Sequence, residues 1–399
     1  MAVITDKNKI EELLTRGVSQ VYPSYDEVFE LFEQGKPLRI YLGVDPTGKE
    51  LHLGHTVQLL YLKKILDMGH IPILLIGDFT ARIGDPTDKS DLARRQLTKQ
   101  EVENNMKNYV RQANKVIDMS KVELRYSSEW YEKMSAQEFI QLAYLTTVSQ
   151  LLERDMFQNR MEAGKAIHTP ELFYPFMQGY DSVVLNADGE FGGTDQTFNM
   201  LMGRTLVHDM QNREKFVIAR KLLEDPATGK KLMSKTAGDY IPIEADPSAM
   251  YGGIMSLSDE AIVPLFESIT DVPIDKVYEI SNRLKQGENP KILKQELAFE
   301  IVRMYHGDSQ AIKTEQEFNL VFSQGKTPDE VPELSIPDNG ISILDALINS
   351  KQVSSKTEAK RLISEGAVSI EGKKIEKWDE IVNKGVIIKI GAHRFLKLV

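Results

Sequence analysis

The sequence predicts an α/β protein. A parallel-sheet domain spans residues 1–245 and an α-helical domain spans 246–322. A linker at 323–340 leads to a small α+β module at 341–399. Three observations predict this. Residues 37–77 read strand, helix, strand, which makes a βαβ unit with a parallel pair. Residues 246–320 keep helical apolar periods with no strand pattern. Residues 341–399 hold 11 Lys/Arg against 7 Asp/Glu, whereas residues 1–340 hold 38 against 52, so a basic module follows an acidic body.

Each element has its local reason. Residues 10–32 read as mostly helical, with a break at Pro23. Residues 37–44 read as a buried strand, and Pro46 and Gly48 mark the turn after it. Residues 52–67 carry Val57, Leu60, Leu62, Ile65 and Leu66 at helical spacing, and Gly69 stops that helix before a second apolar strand at 70–77. Residues 92–170 read as mostly helical, and 183–185 and 216–219 as further strands. Pro328, Pro332, Pro337 and Asn339-Gly340 mark the linker. In the tail, Ser355 and Glu358 form a capping box for a helix closed by Gly366. Lys356 and Lys360 share one side of that helix, with Arg361 beside them, and Lys351 lies just upstream. Residues 367–370 and 386–390, with a turn at Glu371-Gly372, complete a small sheet. No internal repeat is present.

Composition narrows the function classes. A chain of 399 residues implies two or three domains, and 41% hydrophobic with 27% charged residues is ordinary for a globular protein. The absence of cysteine excludes disulfides, thiolate zinc sites, iron–sulfur clusters and cysteine nucleophiles. No apolar run approaches a membrane span, and charges occupy the positions where a signal peptide would be apolar, so the expected compartment is the cytoplasm. The net charge of −10 argues against nucleic-acid binding by the whole surface, while the basic tail points to a phosphate-bearing partner at one end.

Two constellations carry chemistry. His52-Leu53-Gly54-His55 opens the first crossover helix, so two imidazoles share one face of its first turn. The unpaired N–H groups of that turn favour an anion, and Gly54 lets a flat base such as adenine lie against the backbone. No third ligand is near, which argues against a metal. The overlapping Gly43 to Lys49 run resembles a phosphate loop but ends in Glu50, with no hydroxyl for magnesium, and is discounted. The second constellation is Gly229 to Thr236, where Lys230, Lys231 and Lys235 suit a clamp on a polyphosphate. Lys89, Arg94 and Arg95 form a third basic stretch, which reads equally well as a solvated face or as a contact for an RNA end.

His52-Leu53-Gly54-His55 and Leu232-Met233-Ser234-Lys235-Thr236 resemble the two signature motifs of class I aminoacyl-tRNA synthetases, in the right order. The second motif opens on Leu232 where that family carries lysine, and Lys231 or Lys230 is the candidate replacement. Further segments resemble the amino-acid pocket of tyrosyl-tRNA synthetases: Tyr41 to Thr47, Gly84 to Thr87, Tyr174 to Asp181 and Gly192 to Gln196. Residues 341–399 are similar to the ribosomal S-four-like RNA-binding module of the bacterial members.

The resemblance implies a Rossmann-like catalytic domain. It implies activation of L-tyrosine by ATP, with release of pyrophosphate, and then transfer to the 3′ end of tRNA(Tyr). A phenol needs a donor and an acceptor, which Tyr41 and an ionised Asp181 supply, and an ammonium needs the acceptors Asp85, Tyr174 and Gln178. His52, His55, Thr47 and Lys235 are the candidates for stabilising the phosphoryl charge. Asp45, Gly54, Gly192, Asp195, Gln196, Lys231, Lys235 and Thr236 are the candidates for ATP, with Asp195 at the ribose and Gln196 near the reacting carboxylate. Mg²⁺ would come with the nucleotide, and no resident metal is expected. Lys351, Lys356, Lys360 and Arg361 are the candidates for RNA contact, and a helical insertion near 120–170 is expected at a homodimer interface. Three other readings stay open: a tryptophanyl enzyme, an HxGH adenylyltransferase, and a non-enzymatic RNA-binding descendant of a synthetase.

Overall fold

The computed structural model describes residues 2–85, 97–226, 228–229, 231–233, 240–324, 331–350, 352–353, 355–370, 372–391 and 394–399. In chain order it begins α1 (Lys7–Thr15), β1 (Val18–Tyr22), α2 (Tyr25–Glu33), β2 (Arg39–Val44), α3 (Leu53–Asp67), β3 (Ile71–Ile76), α4 (Lys99–Ala113) and β4 (Glu123–Tyr126). Four short helices follow: α5 (Ser128–Tyr131), α6 (Ala136–Ala143), α7 (Val148–Leu152) and α8 (Asp155–Glu162). Then come α9 (Thr169–Val184), β5 (Gly189–Gly193), α10 (Thr197–Gln211) and β6 (Phe216–Arg220).

These strands form one sheet in the order β1-β6-β5-β2-β3-β4. All pairs are parallel except β1–β6. The expected βαβ unit is therefore β2-α3-β3, at the centre of the sheet. Its strands are apolar runs buried on both faces, as parallel strands require.

Three local expectations are corrected. Residues 18–22 are strand, not helix, because they pair with Ile218 and its neighbours on β6. Residues 123–126 are strand because they pair with β3. Residues 183–185 are not strand: Val183 and Val184 end α9, and Leu185 caps it. Gly189–Gly193, for which no element was expected, is also a strand, flanked by β2 and β6. In the strands a distant partner overrode local propensity.

The chain forms two compact units, Met1–Glu244 with Ser258–Leu293, and Ala245–Leu257 with Lys294–Val399. The helical segment expected as one domain at 246–322 is thus shared between them. In the first unit, α11 being Pro247–Met255 of the second, α12 (Ile262–Ile269) packs on α3 and is followed by α13 (Ile274–Lys285). Arg16 explains the attachment. Its buried guanidinium donates to the carbonyls of Phe266, Glu267, Thr270 and Val272 at the end of α12.

The chain continues with α14 (Pro290–His306) and α15 (Asp308–Gln324); α11 packs on α15 through Tyr251 and Phe318, with ring centroids 4.9 Å apart. The tail holds β7 (Glu333–Leu334), β8 (Ile341–Ser342), α16 (Ile343–Asn349), α17 (Lys356–Ser364), β9 (Val368–Ile370), β10 (Lys373–Lys374), β11 (Ile381–Val382), β12 (Ile387–Ile390) and β13 (Arg394–Leu398). The expected linker is shorter than 323–340, because β7 pairs in parallel with β13 and Ile336 is buried in the tail's core.

Candidate active site

The site is built at the carboxyl ends of β2, β3 and β5, where an open parallel sheet presents its loops. His52 caps α3: its Nδ1 accepts the Gly54 N–H at 3.2 Å, and the His55 Nδ1 accepts the His52 N–H at 3.1 Å. Both rings therefore carry their proton on Nε2, and their centroids lie 3.9 Å apart. Side chains of α4 hold the preceding turn. Asn105 donates to the Pro46 carbonyl at 2.9 Å, and Gln112 accepts the Leu51 N–H at 2.6 Å. Thr47 sits exposed on that turn.

The lysine-bearing segment is stitched to the histidine turn. Leu232 N–H bonds the Leu223 carbonyl at 2.8 Å, and Glu224 and Lys231 form a bridge. Beyond the loop, Leu53 N–H bonds the Ile241 carbonyl at 3.0 Å, Ile243 N–H bonds the Leu51 carbonyl at 3.1 Å, and Pro242 bridges His52. Met233 packs over Gly54, where any Cβ would lie 3.2 Å from the Met233 Cβ and 3.0 Å from the His52 ring. The Lys231 ammonium reaches Asp195 at 3.1 Å.

Beside this lies a polar pocket lined by β2, α9 and β5. Tyr174 donates to Asp45 at 3.0 Å, and Thr80 donates to the other Asp45 oxygen at 2.8 Å. Asp45 is partly exposed, yet its carboxyl is withdrawn from water, and that desolvation pushes it up to about 7. Gln196 donates to Asp85 at 2.6 Å. Asp181 is buried, and Trp130 Nε1 and the Tyr131 hydroxyl both donate to its Oδ1 at 3.0 Å. Burial raises the Asp181 carboxyl well above the usual range, against the pull of those two donors. The expectation of a simply ionised Asp181 is corrected to that extent. The Tyr41 hydroxyl meets Ser182 Oγ at 2.8 Å, and Gln178 Nε2 donates to Glu190 at 3.1 Å.

The sequence relations agree with this arrangement. Residues 33–323 match the family described as tRNA synthetases class I (W and Y), and residues 322–390 match the tyrosine–tRNA ligase SYY-like C-terminal domain. The chain is 42% identical to a tyrosine–tRNA ligase of Carboxydothermus hydrogenoformans, covering 97% of each chain. It is 39% identical to one of Thermotoga maritima, over 97% of this chain and 96% of the other. The chain belongs to the class I tyrosyl-tRNA synthetase family. Solved tyrosyl-tRNA synthetases share its fold at low identity. A C-terminally truncated mitochondrial one from Aspergillus nidulans superposes with a TM-score of 0.66 at 22% identity, covering 79% of this chain and 94% of that one. One from Archaeoglobus fulgidus, solved with L-tyrosine, gives 0.61 at 20%, covering 78% and 99%.

The structure brings together Tyr41, Asp45, Asp85, Tyr174, Gln178, Asp181 and Gln196; His52, Gly54 and His55 form a second group, and Asp195 and Lys231 a pair. Asp45, expected toward ATP, accepts the Tyr174 hydroxyl. Gly192 lies in β5 against Met200. Lys230, Lys235, Thr236 and Lys351 lie outside the described residues, as do Lys89, Arg94 and Arg95. Sequence reasoning missed Trp130, Tyr131, Ser182, Glu190 and Lys215. A lysine ahead of an apolar strand and an acid inside a glycine-rich one were the only signals for the last two.

Proposed function

We propose that this site activates L-tyrosine with ATP and passes it to the terminal adenosine of a tRNA, the tyrosine–tRNA ligase reaction of its family. The observation that carries the reading is the stitching of residues 241–243 onto residues 51–53. It joins the histidine turn to the lysine segment beside a pocket with phenol and ammonium partners. The tyrosine carboxylate is already ionised and attacks the α-phosphorus, so no general base is needed. The protein aligns two anions and stabilises charge on the phosphoryl group. His52 and His55 donate from Nε2, and Thr47 and Lys235 are the further candidates for the same charge. Lys231 stands in for the missing lysine at Leu232, its reach to Asp195 supporting that role. Mg²⁺ enters with the nucleotide phosphates. Asp181 and Tyr41 take the phenol, and Tyr174, Gln178, Asp85 and Asp45 take the ammonium.

The tail module is proposed to hold the tRNA. Lys356, Lys360 and Arg361 are exposed, Arg361 pairs with Glu365, and Lys360 lies 4.6 Å over the ring of Trp378, itself 51% exposed. An exposed aromatic beside basic side chains suits stacking on unpaired bases. A homodimer is supported by Ile140, Tyr144, Val148 and Met161, all exposed on or beside α6–α8, Tyr144 to 83%. Among the described residues no helix is long and apolar enough to cross a membrane, which accords with the proposed cytoplasmic location.

ATP–pyrophosphate exchange with each amino acid in turn tests the function. Tyrosine alone should support it, and preference for tryptophan, or no exchange, would overturn the reading. Sedimentation of a Tyr144→Asp/Val148→Asp variant should give half the native mass; an unchanged mass would sink the dimer assignment.

A further inference from the structure

Behind the pocket lies a charged pair without a part in the reaction above. Lys215 and Glu190 are 0% and 1% exposed, and their side chains are in direct contact. The Lys215 ammonium has three N–H groups and meets three acceptors: Glu190 Oε2, Ser182 Oγ at 2.8 Å and the Met200 carbonyl at 3.2 Å. Room for this comes from Gly203 on α10, where a Cβ would lie 2.5 Å from both Lys215 Nζ and Ser182 Oγ. Burying such a pair is costly unless every donor and acceptor is used, and here each is.

The pair touches both ends of the pocket. Glu190 Oε1 accepts from Gln178, and a carboxylate only accepts, so the Gln178 amide must turn its NH₂ to Glu190 and its carbonyl away. At the other end, the Lys215 ammonium only donates, so Ser182 Oγ accepts from it. The polarised Ser182 hydroxyl then donates to Tyr41, which leaves the Tyr41 hydroxyl proton for another acceptor, Glu190 in the structure and the phenol oxygen once substrate is bound. Both protein donors to Asp181 fall on Oδ1, leaving Oδ2 for a ligand.

We propose that Lys215 is a positioning residue that sets hydrogen-bond polarity at both ends of the tyrosine pocket. A directed chain runs from the Lys215 ammonium through Ser182 and Tyr41 to the substrate hydroxyl and ends on Asp181. Through Glu190 the same lysine presents the Gln178 carbonyl to the substrate ammonium. The inference rests on reading Tyr41 and Asp181 as the phenol site.

Exchange kinetics with tyrosine and with phenylalanine test it on the full chain. Ser182→Ala removes the relay and one of the three acceptors of the Lys215 ammonium. It should lower kcat/KM for tyrosine about five- to tenfold, the worth of one lost hydrogen bond, leave phenylalanine unmoved, and lower the melting temperature by a few degrees at most. Lys215→Met should lower tyrosine further and raise KM for both amino acids, since both carry the ammonium. Equal losses for the two amino acids in Ser182→Ala, or none, would overturn the relay, even if Lys215→Met fails to fold. Tyr41→Phe separates the premises. If it leaves discrimination intact, the phenol-site reading itself fails. If it lowers discrimination while Ser182→Ala does not, only the relay fails.

Discussion

Asp45 and Asp181 are both carboxyls raised by burial, and each makes a measurable claim. The Asp45 carboxyl titrates near 7, above its value in the unfolded chain. The folded state therefore holds the proton longer, and stability falls as pH climbs from the ordinary carboxyl range through about 7. A substrate ammonium beside Asp45 favours the ionised form. The KM for tyrosine in exchange should thus fall as pH rises from about 6 to about 8, and Asp45→Asn should flatten the profile; an unchanged profile would remove Asp45 from the ammonium site. Asp181→Asn keeps the shape and removes the acceptor at Oδ2. Tyrosine activation should drop about tenfold, as for the loss of one buried hydrogen bond, and discrimination against phenylalanine should fall with it. Undiminished tyrosine kcat/KM would exclude Asp181 from the floor.

At the scale of elements, the readable parts were those whose reasons are local. The β2-α3-β3 unit announces itself by apolar runs and a glycine stop, and the His52 turn by its place between them. The tail helix is legible from Ser355, which does accept the Glu358 N–H at 3.1 Å. What stayed hidden depends on partners far along the chain. Gly189–Gly193 has no apolar run to announce the strand that β2 and β6 make of it, and nothing near Lys215 tells that its ammonium is wholly enclosed. Trp130 and Tyr131 reach Asp181 across about fifty residues of sequence, a distance that no periodicity spans. Lys231 gives the prediction at this scale. The Lys231–Asp195 contact is solvent-exposed, so Lys231→Ala should leave the melting temperature unchanged. The KM for ATP should nevertheless rise several-fold, and an unchanged KM would leave Leu232 a departure that nothing replaces.

For the whole molecule, charge and chain path divide the labour. On the proposed reading, the acidic body carries the chemistry and the basic tail the phosphate-seeking surface. Because β7 belongs to the tail's sheet, a clean removal starts at residue 331, not at 341. The truncated protein should keep ATP–pyrophosphate exchange and lose most tRNA charging. In the full chain, tRNA affinity should fall steeply with salt, as counterion release requires. Equal charging by both forms would overturn the assignment of the tail to RNA.

The enclosed Lys215–Glu190 pair also bears on how this protein can change over generations. Replacing either partner alone strands a charge in the interior, at a cost of about 3–5 kcal/mol, which is much of a domain's total stability. Single-step mutational paths through these two positions are therefore closed, and only a coordinated exchange of both is open. Drift in amino-acid preference should enter instead through neighbours such as Ser182, whose loss leaves the pair intact. Lineages related to this one should accordingly carry Lys215 and Glu190 together or have lost them together.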